Sequence, residues 1–167
     1  MATHFISDLH FDGDSDRYAV PHGFADSTEM TRRICEVWHS RVAKDDIVWI
    51  LGGVGNPVHL ASLPGTKHLV RAADDPMSWN CLATGRYASV SDFHRIKMAN
   101  GTASLVNDPI TAAKSDRFVI HGGAALGYRH SNTHFCVAAH QTGWGPVDLS
   151  WLARKGSPLQ ISLRHAA

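Results

Sequence analysis

The chain has no long apolar run, and no window approaches the ~18 apolar residues of a membrane-spanning helix. Its N-terminus lacks the charged-then-apolar pattern of a signal peptide. Cysteine is scarce. Cys35, Cys81 and Cys136 are odd in number, widely separated and outside any C-x-x-C spacing. Such thiols read as reduced and buried, and the expectation is a cytoplasmic protein without contact to membranes. Net charge is also nearly missing, at a formal +1, so no clustered basic face is expected to hold nucleic acid. Low-complexity tracts and internal repeats are absent too. What remains, 44% hydrophobic and 19% charged residues over 167 positions, reads as one globular domain spanning 1–167. Twelve histidines are many for this length, yet the number alone assigns no role.

The stretch Thr3 to Asp12, THFISDLHFD, is the most informative. A β-branched and aromatic run ends in Asp8-Leu9-His10, so a carboxylate and an imidazole leave a strand edge two residues apart. Phe11 to Phe24 is a Gly-, Asp- and Pro-containing loop placed to hang over whatever lies at that edge. Asp26 with Glu29 is a capping-box signal, and Met30, Ile34, Val37, Trp38 and Val42 follow at helical spacing to about Ala43. Ile47 to Leu51 reads as a buried parallel strand ending in Gly52-Gly53. A short helix from Asn56 to Leu63 and a strand from Lys67 to Arg71 follow. Residues 77–92 are ambiguous between helix and loop. Asn100-Gly101 is a hairpin signal between two strands. Arg117 to His121 and Phe135 to His140 are later strands, and Asp148 caps a helix from Leu149 to Arg154. Strands are expected near 3–7, 47–51, 67–71, 94–99, 102–106, 117–121 and 134–140. The order predicts an α/β fold, a two-sheet α/β/α sandwich with right-handed crossovers.

Five passages stand at these strand ends and turns: Ser7-Asp8-Leu9-His10, Asp45 to Gly52, Leu63-Pro64-Gly65-Thr66-Lys67 into Arg71, Leu105 to Pro109, and Gly145-Pro146-Val147-Asp148-Leu149. Together they resemble the calcineurin-like metallophosphoesterase family, and its small bacterial and phage members most. That family's pattern runs D-x-H, L-G-D, a Leu-Pro-Gly-x-Lys turn into G-N-H-D, a hairpin into His-x-Pro, and G-H-x-H. The resemblance implies a sandwich of the metallophosphoesterase type with two catalytic metal ions. Only the first motif survives, as Asp8 and His10. The bridging Asp of L-G-D falls on Gly53. G-N-H-D reads Ala72-Ala73-Asp74-Asp75, the His of His-x-Pro falls on Asn107, and G-H-x-H reads Gly122-Gly123-Ala124-Ala125. Two ions need a bridging carboxylate and a full ligand set, so no resident metal or other cofactor is expected.

Gly53, Ala73, Gly123 and Ala125 are all small, and the expectation is a concavity at four converging strand ends, where α/β sheets bind ligands. Drift to small residues gives the same letters without a function. Asp8, His10 and Asp74 are the candidate catalytic residues. Gly53, Ala73, Asp75, Asn107, His121, Gly123 and Ala125 are candidates for binding a small-molecule ligand. Asp8 or Asp74 with His10 makes a proton-transfer pair suited to cyclisation, isomerisation or elimination. The loop Gly127 to Thr133 is placed to act as a lid. A non-catalytic scaffold for a protein partner is the alternative, with Trp38, Trp79, Trp144 and Trp151 as candidate contact residues. A third reading is a residual single-metal phosphoesterase in which His121 joins Asp8 and His10.

Overall fold

The computed structural model describes residues 1–98, 100–123 and 131–155. Its first sheet is built from β1 (Thr3–Ile6), β2 (Ile47–Ile50), β3 (Thr66–Val70) and β4 (Ser89–Ser91), all parallel, with Phe5 opposite Trp49 and Trp49 opposite His68. The second contains β5 (His94–Met98), β6 (Gly101–Val106), β7 (Phe118–His121) and β8 (His134–Cys136) in that order. β5 and β6 form the antiparallel hairpin, in which Met98 pairs with Gly101, so Gly101 opens the strand beyond the turn. A two-residue β9 (Val147–Asp148) returns to the free edge of β1, antiparallel to it. The fold is mixed α/β, two sheets flanked by helices.

Local chemistry accounts for the helices. In α1 (Ser27–Arg41), extended Asp26 accepts a hydrogen bond from Glu29 N at 2.8 Å, and the Glu29 carboxylate accepts from Ala25 N. Its face of Met30, Ile34 and Trp38 is buried with Ile6, Val48 and Ile50 of the first sheet. Residues 77–92 contain α2 (Ser78–Ala83) as well as β4. α3 (Leu149–Lys155) starts where Asp148 accepts from Trp151 N at 2.9 Å. The expected helix at 56–63 is a 3-10 turn, Pro57–Ala61, capped by Asn56. None of the described helices is long and apolar enough to cross a membrane.

Strand alternation divides the core in two. Ile6, Val48 and Ile50 face α1, whereas Phe5, Trp49, Leu51 and Val70 share a second cluster with Leu105, Phe118, Ile120 and Phe135 of the other sheet. Both faces of the first sheet are therefore buried, which explains its near-continuous apolar runs.

The two sheets are stitched together where their strands end. After β8 the chain crosses to β1, where Ser7 N donates to Val137 O and Ala139 N donates to Ser7 O, both at 2.9 Å. Beside this bridge Asn107 Nδ2 donates to Leu51 O at 2.7 Å, tying the end of β6 to the end of β2. Gly122 leaves the room for that amide. A Cβ there would lie 2.6 Å from Leu51 O and 2.7 Å from Asn107 Nδ2. Gly122→Ala and Asn107→Ala are each expected to cost about 1–3 kcal/mol, the first by overpacking and the second by orphaning a buried carbonyl. Urea denaturation measures both. Losses under about 0.5 kcal/mol in each would show that the seam is not where the sheets are held.

Candidate functional site

Past β1 the backbone enters the left-handed region at every second residue, at Asp8 (φ 54°), His10 (φ 44°) and Asp12 (φ 55°). The segment after β2 runs alongside in the same region, at Gly52, Gly53 and Gly55. Asp8 N donates to Gly52 O at 3.0 Å, His10 N to Gly53 O at 2.8 Å and Phe11 N to Val54 O at 3.0 Å. Asp and His tolerate positive φ better than most residues, but each such position still costs on the order of 1 kcal/mol. Three in one short ribbon mark a backbone held for the sake of its side chains.

That ribbon turns Asp8 and His10 into one cavity of about 360 Å³, whose other walls are Arg17, Tyr18, His22, Met30, His140 and Trp144. His10 Nε2 lies 4.0 Å from Asp8 Oδ1, too far for a direct hydrogen bond. Ser7 Oγ donates to the other Asp8 oxygen at 3.0 Å. Tyr18 stacks on the His10 ring with centroids 3.8 Å apart and planes 11° off parallel. On the facing side His22 stacks on His140 at 4.7 Å and meets Trp144 edge-on at 5.4 Å. Burial pushes the His10 imidazole down to about 4, a drop that nearby Asp74 opposes and that Arg17 and His140 reinforce. Its ring is therefore neutral at physiological pH. Burial and the neighbouring His22 also lower His140.

A second cavity of about 280 Å³ lies across the His10–Tyr18 stack and is lined by Gly53, Asp74 and Asp75 as well. Asp75 accepts from Ala72 N, Gly53 N and Val54 N, and burial nevertheless raises its carboxyl above the usual range. Asp74 and Ala73 are exposed. Gly53 is no open floor, because a Cβ there would come within 2.9 Å of Asp8 Oδ1 and 3.3 Å of the His10 ring. Asn107 belongs to the seam and lines neither cavity. His121 is fully buried at the end of β7, with Nδ1 2.8 Å from Gly122 O, and Gly123 is half-buried beside it. Ala125 and residues 127–130 of the expected lid lie outside the described residues. The structure thus brings Asp8 and His10 together, sets Gly53, Asp74 and Asp75 next to them, and keeps Asn107 and His121 apart.

The pair of metal ions implied by the resemblance does not fit this donor set. Gly53 and Ala73 offer no side-chain ligand, and among the described residues no three His, Cys, Asp or Glu side chains converge as metal ligands. Arg17, Tyr18, His22 and His140 are not among the expected site residues, and Trp144 is expected only as a contact residue of the scaffold alternative. The expectation that loop 11–24 overhangs the site points to the first three, and His140 ends the last expected strand. Trp144, in the left-handed region at φ 68°, has no sequence signal that places it in this cavity.

No family model and no curated protein sequence matches the chain. Among solved structures it is similar to a protein of unknown function, AQ665 from Aquifex aeolicus, with a TM-score of 0.70 at 18% identity over 92% of this chain and 98% of that one. The likeness is one of fold.

The depressed His10 value carries a sign. The unfolded ring, near 6.5, binds a proton more readily than the folded ring near 4, so His10 removes stability as pH falls from about 6.5 through about 4. In an NMR titration its ring resonances are expected to hold constant from pH 7 to about 5. A midpoint at or above 6 would mean that the ring is hydrated and the cavity open.

Proposed function

We propose that the chain is a calcineurin-like metallophosphoesterase-type sandwich that works without the dinuclear metal centre, as a cytoplasmic enzyme performing acid/base chemistry on a small organic molecule. The observation that carries this reading is the Asp8–His10 pair, set at 4.0 Å on strained backbone in one cavity with a ring that burial keeps neutral. A substrate atom between them reaches both at hydrogen-bond distance, about 2.8 Å from each. Neutral His10 accepts the proton, Asp8 stabilises the imidazolium so formed, and Arg17 faces negative charge developing on the substrate. His10 returns the proton to a different atom in an isomerisation or cyclisation, or to the leaving group in an elimination. The aromatic walls, with Tyr18 stacked on His10, His22 stacked on His140 and Trp144 edge-on to His22, suit a planar molecule.

The test has two arms. In chelator-containing buffer, a library of small heterocycles and organic acids is screened by ligand-observed NMR and then by turnover. Asp8→Asn and His10→Ala are each expected to cut turnover of a hit at least about 100-fold while affinity changes less than about threefold. In the second arm, bis(4-nitrophenyl) phosphate is incubated with and without manganese, and no hydrolysis above buffer is expected. Two tightly held metals per chain by elemental analysis, together with phosphodiester turnover, would overturn the reading.

One observation favours the alternative, a non-catalytic scaffold. Trp79 is 68% exposed, and Met77 and Leu82 beside it are exposed too, whereas Trp38 is fully buried and Trp144 lines the cavity. If the protein is a scaffold, Asp8→Asn and His10→Ala leave partner binding unchanged.

A further inference from the structure

A third cavity of about 330 Å³ opens between α2 and the ends of β2 and β3. Its walls are mostly apolar. Leu69 and Val54 are 1% and 4% exposed, Cys81 and Tyr87 are buried, and Pro57 and Pro76 close the sides. No Lys or Arg lines it, and burial holds the Cys81 thiol and the Tyr87 phenol protonated. Asp75 is thus the one carboxylate in the wall. The same Asp75, with Gly55 and Pro76, is shared with the second cavity, where Asp74 adds another carboxylate and again no cation lines the wall.

Asp75 spends three acceptor positions on Ala72 N, Gly53 N and Val54 N. An ionised carboxylate offers about four, which leaves room for one more donor. The nearby Arg71 guanidinium is committed elsewhere, to Asp92 at 2.6 Å and to the carbonyls of Asp75 and Pro76. The space is at the lower end for a small-ligand site, enough for one ring and a short chain.

We propose that this slot binds a small apolar amine, its aryl or alkyl group lying against Val54, Leu69, Cys81 and Tyr87 and its ammonium at Asp75 and Asp74. Neither Asp8 nor His10 lines the apolar slot, and only its ammonium end, at Asp74 and Asp75, adjoins the second cavity that His10 also walls. Charge complementarity selects the amine. An anion of the same shape would meet two carboxylates without a compensating cation.

The experiment titrates the full-length ¹⁵N-labelled protein with 2-phenylethylamine and, separately, with 3-phenylpropanoate. The amine is expected to shift the amides of Val54, Cys81 and Tyr87 with a Kd of about 1 mM or tighter, and the acid to bind at least about tenfold more weakly. Thr84 is an exposed residue of the slot wall, so Thr84→Trp fills the slot without touching the core and weakens the amine at least about tenfold. Asn80→Trp, equally exposed on that wall, replaces it if the first variant does not fold. Asp74→Asn reduces the amine-over-acid preference below about threefold. Asp8→Asn, at a residue that lines only the first cavity, leaves amine affinity within about twofold, which separates failure of the slot from failure of the catalytic proposal. Shifts confined to the His10 cavity, equal affinity for amine and acid, or indifference to the slot-filling variants would each overturn the assignment.

Discussion

The seam at which the two sheets meet is the constraint on which the rest of the structure depends. Each sheet alone is a short stack of two- to six-residue strands with an apolar face to cover, and face-to-face packing of Phe5, Trp49 and Leu51 on Leu105, Phe118 and Ile120 supplies the cover. Apolar packing is nearly indifferent to sliding by a few tenths of an ångström. Hydrogen bonds are not. The Asn107 amide on Leu51 O and the Ser7 bridge to Val137 and Ala139 fix the register of one sheet against the other at the strand ends. Gly52 and Gly122 leave no spare volume around that amide, for a Cβ at either glycine would come within 2.7 Å of Asn107 Nδ2. Cavities can therefore form just beyond the seam without loosening the fold.

Backbone strain at Asp8, His10 and Asp12 becomes intelligible in that light. The seam locks Ser7 and Leu51, so the two chains leaving β1 and β2 start from a fixed separation and run side by side. Holding side chains of both on the same side then requires left-handed turns. The glycines at 52, 53 and 55 adopt them freely, whereas Asp8, His10 and Asp12 do not. Asp12 recovers part of the cost, since its carboxylate accepts from Asn56 Nδ2 at 2.7 Å and lies 2.8 Å from His59 Nε2. At the other two positions the Asp8 carboxylate accepts from Ser7 Oγ at 3.0 Å and the His10 ring stacks on Tyr18. Strain held where the two groups of the proposed acid/base pair stand is what a functional constraint leaves behind.

What was legible in the sequence follows the range of the forces involved. α1 was readable because a capping carboxylate and a helical stripe are local, and the buried strands because apolar runs of four or five residues are local too. β4 and β9, three and two residues long, owe their pairing to neighbours that only the tertiary fold provides. Of the site, Asp8 and His10 were readable as the end of a strand. Asn107 and His121 also end strands, but whether such a side chain turns into a cavity or into the seam depends on space left by glycines far away in sequence. His22, His140 and Trp144 meet only after the loop beyond β1 and the segment beyond β8 have folded over one another, and no short-range pattern announces a ring contact across more than a hundred residues.

The small residues at the positions where the resemblance places metal ligands are best understood through Gly53. If the glycine marked a void, the space next to its Cα would be empty. Instead the Asp8 carboxylate and the His10 ring occupy it, and Gly53 N is held by Asp75 at 3.1 Å with φ at 67°. A carboxylate placed at that position would need both a left-handed backbone and the volume that Asp8 and His10 already fill, and it would stand beside the carboxylates of Asp8 and Asp75. On the proposed reading, closure of the old metal mouth and formation of the Asp8–His10 cavity are thus the same structural event. The glycine lets the acid/base pair approach the neighbouring chain, and that approach in turn excludes the ligand that a bridging metal would require.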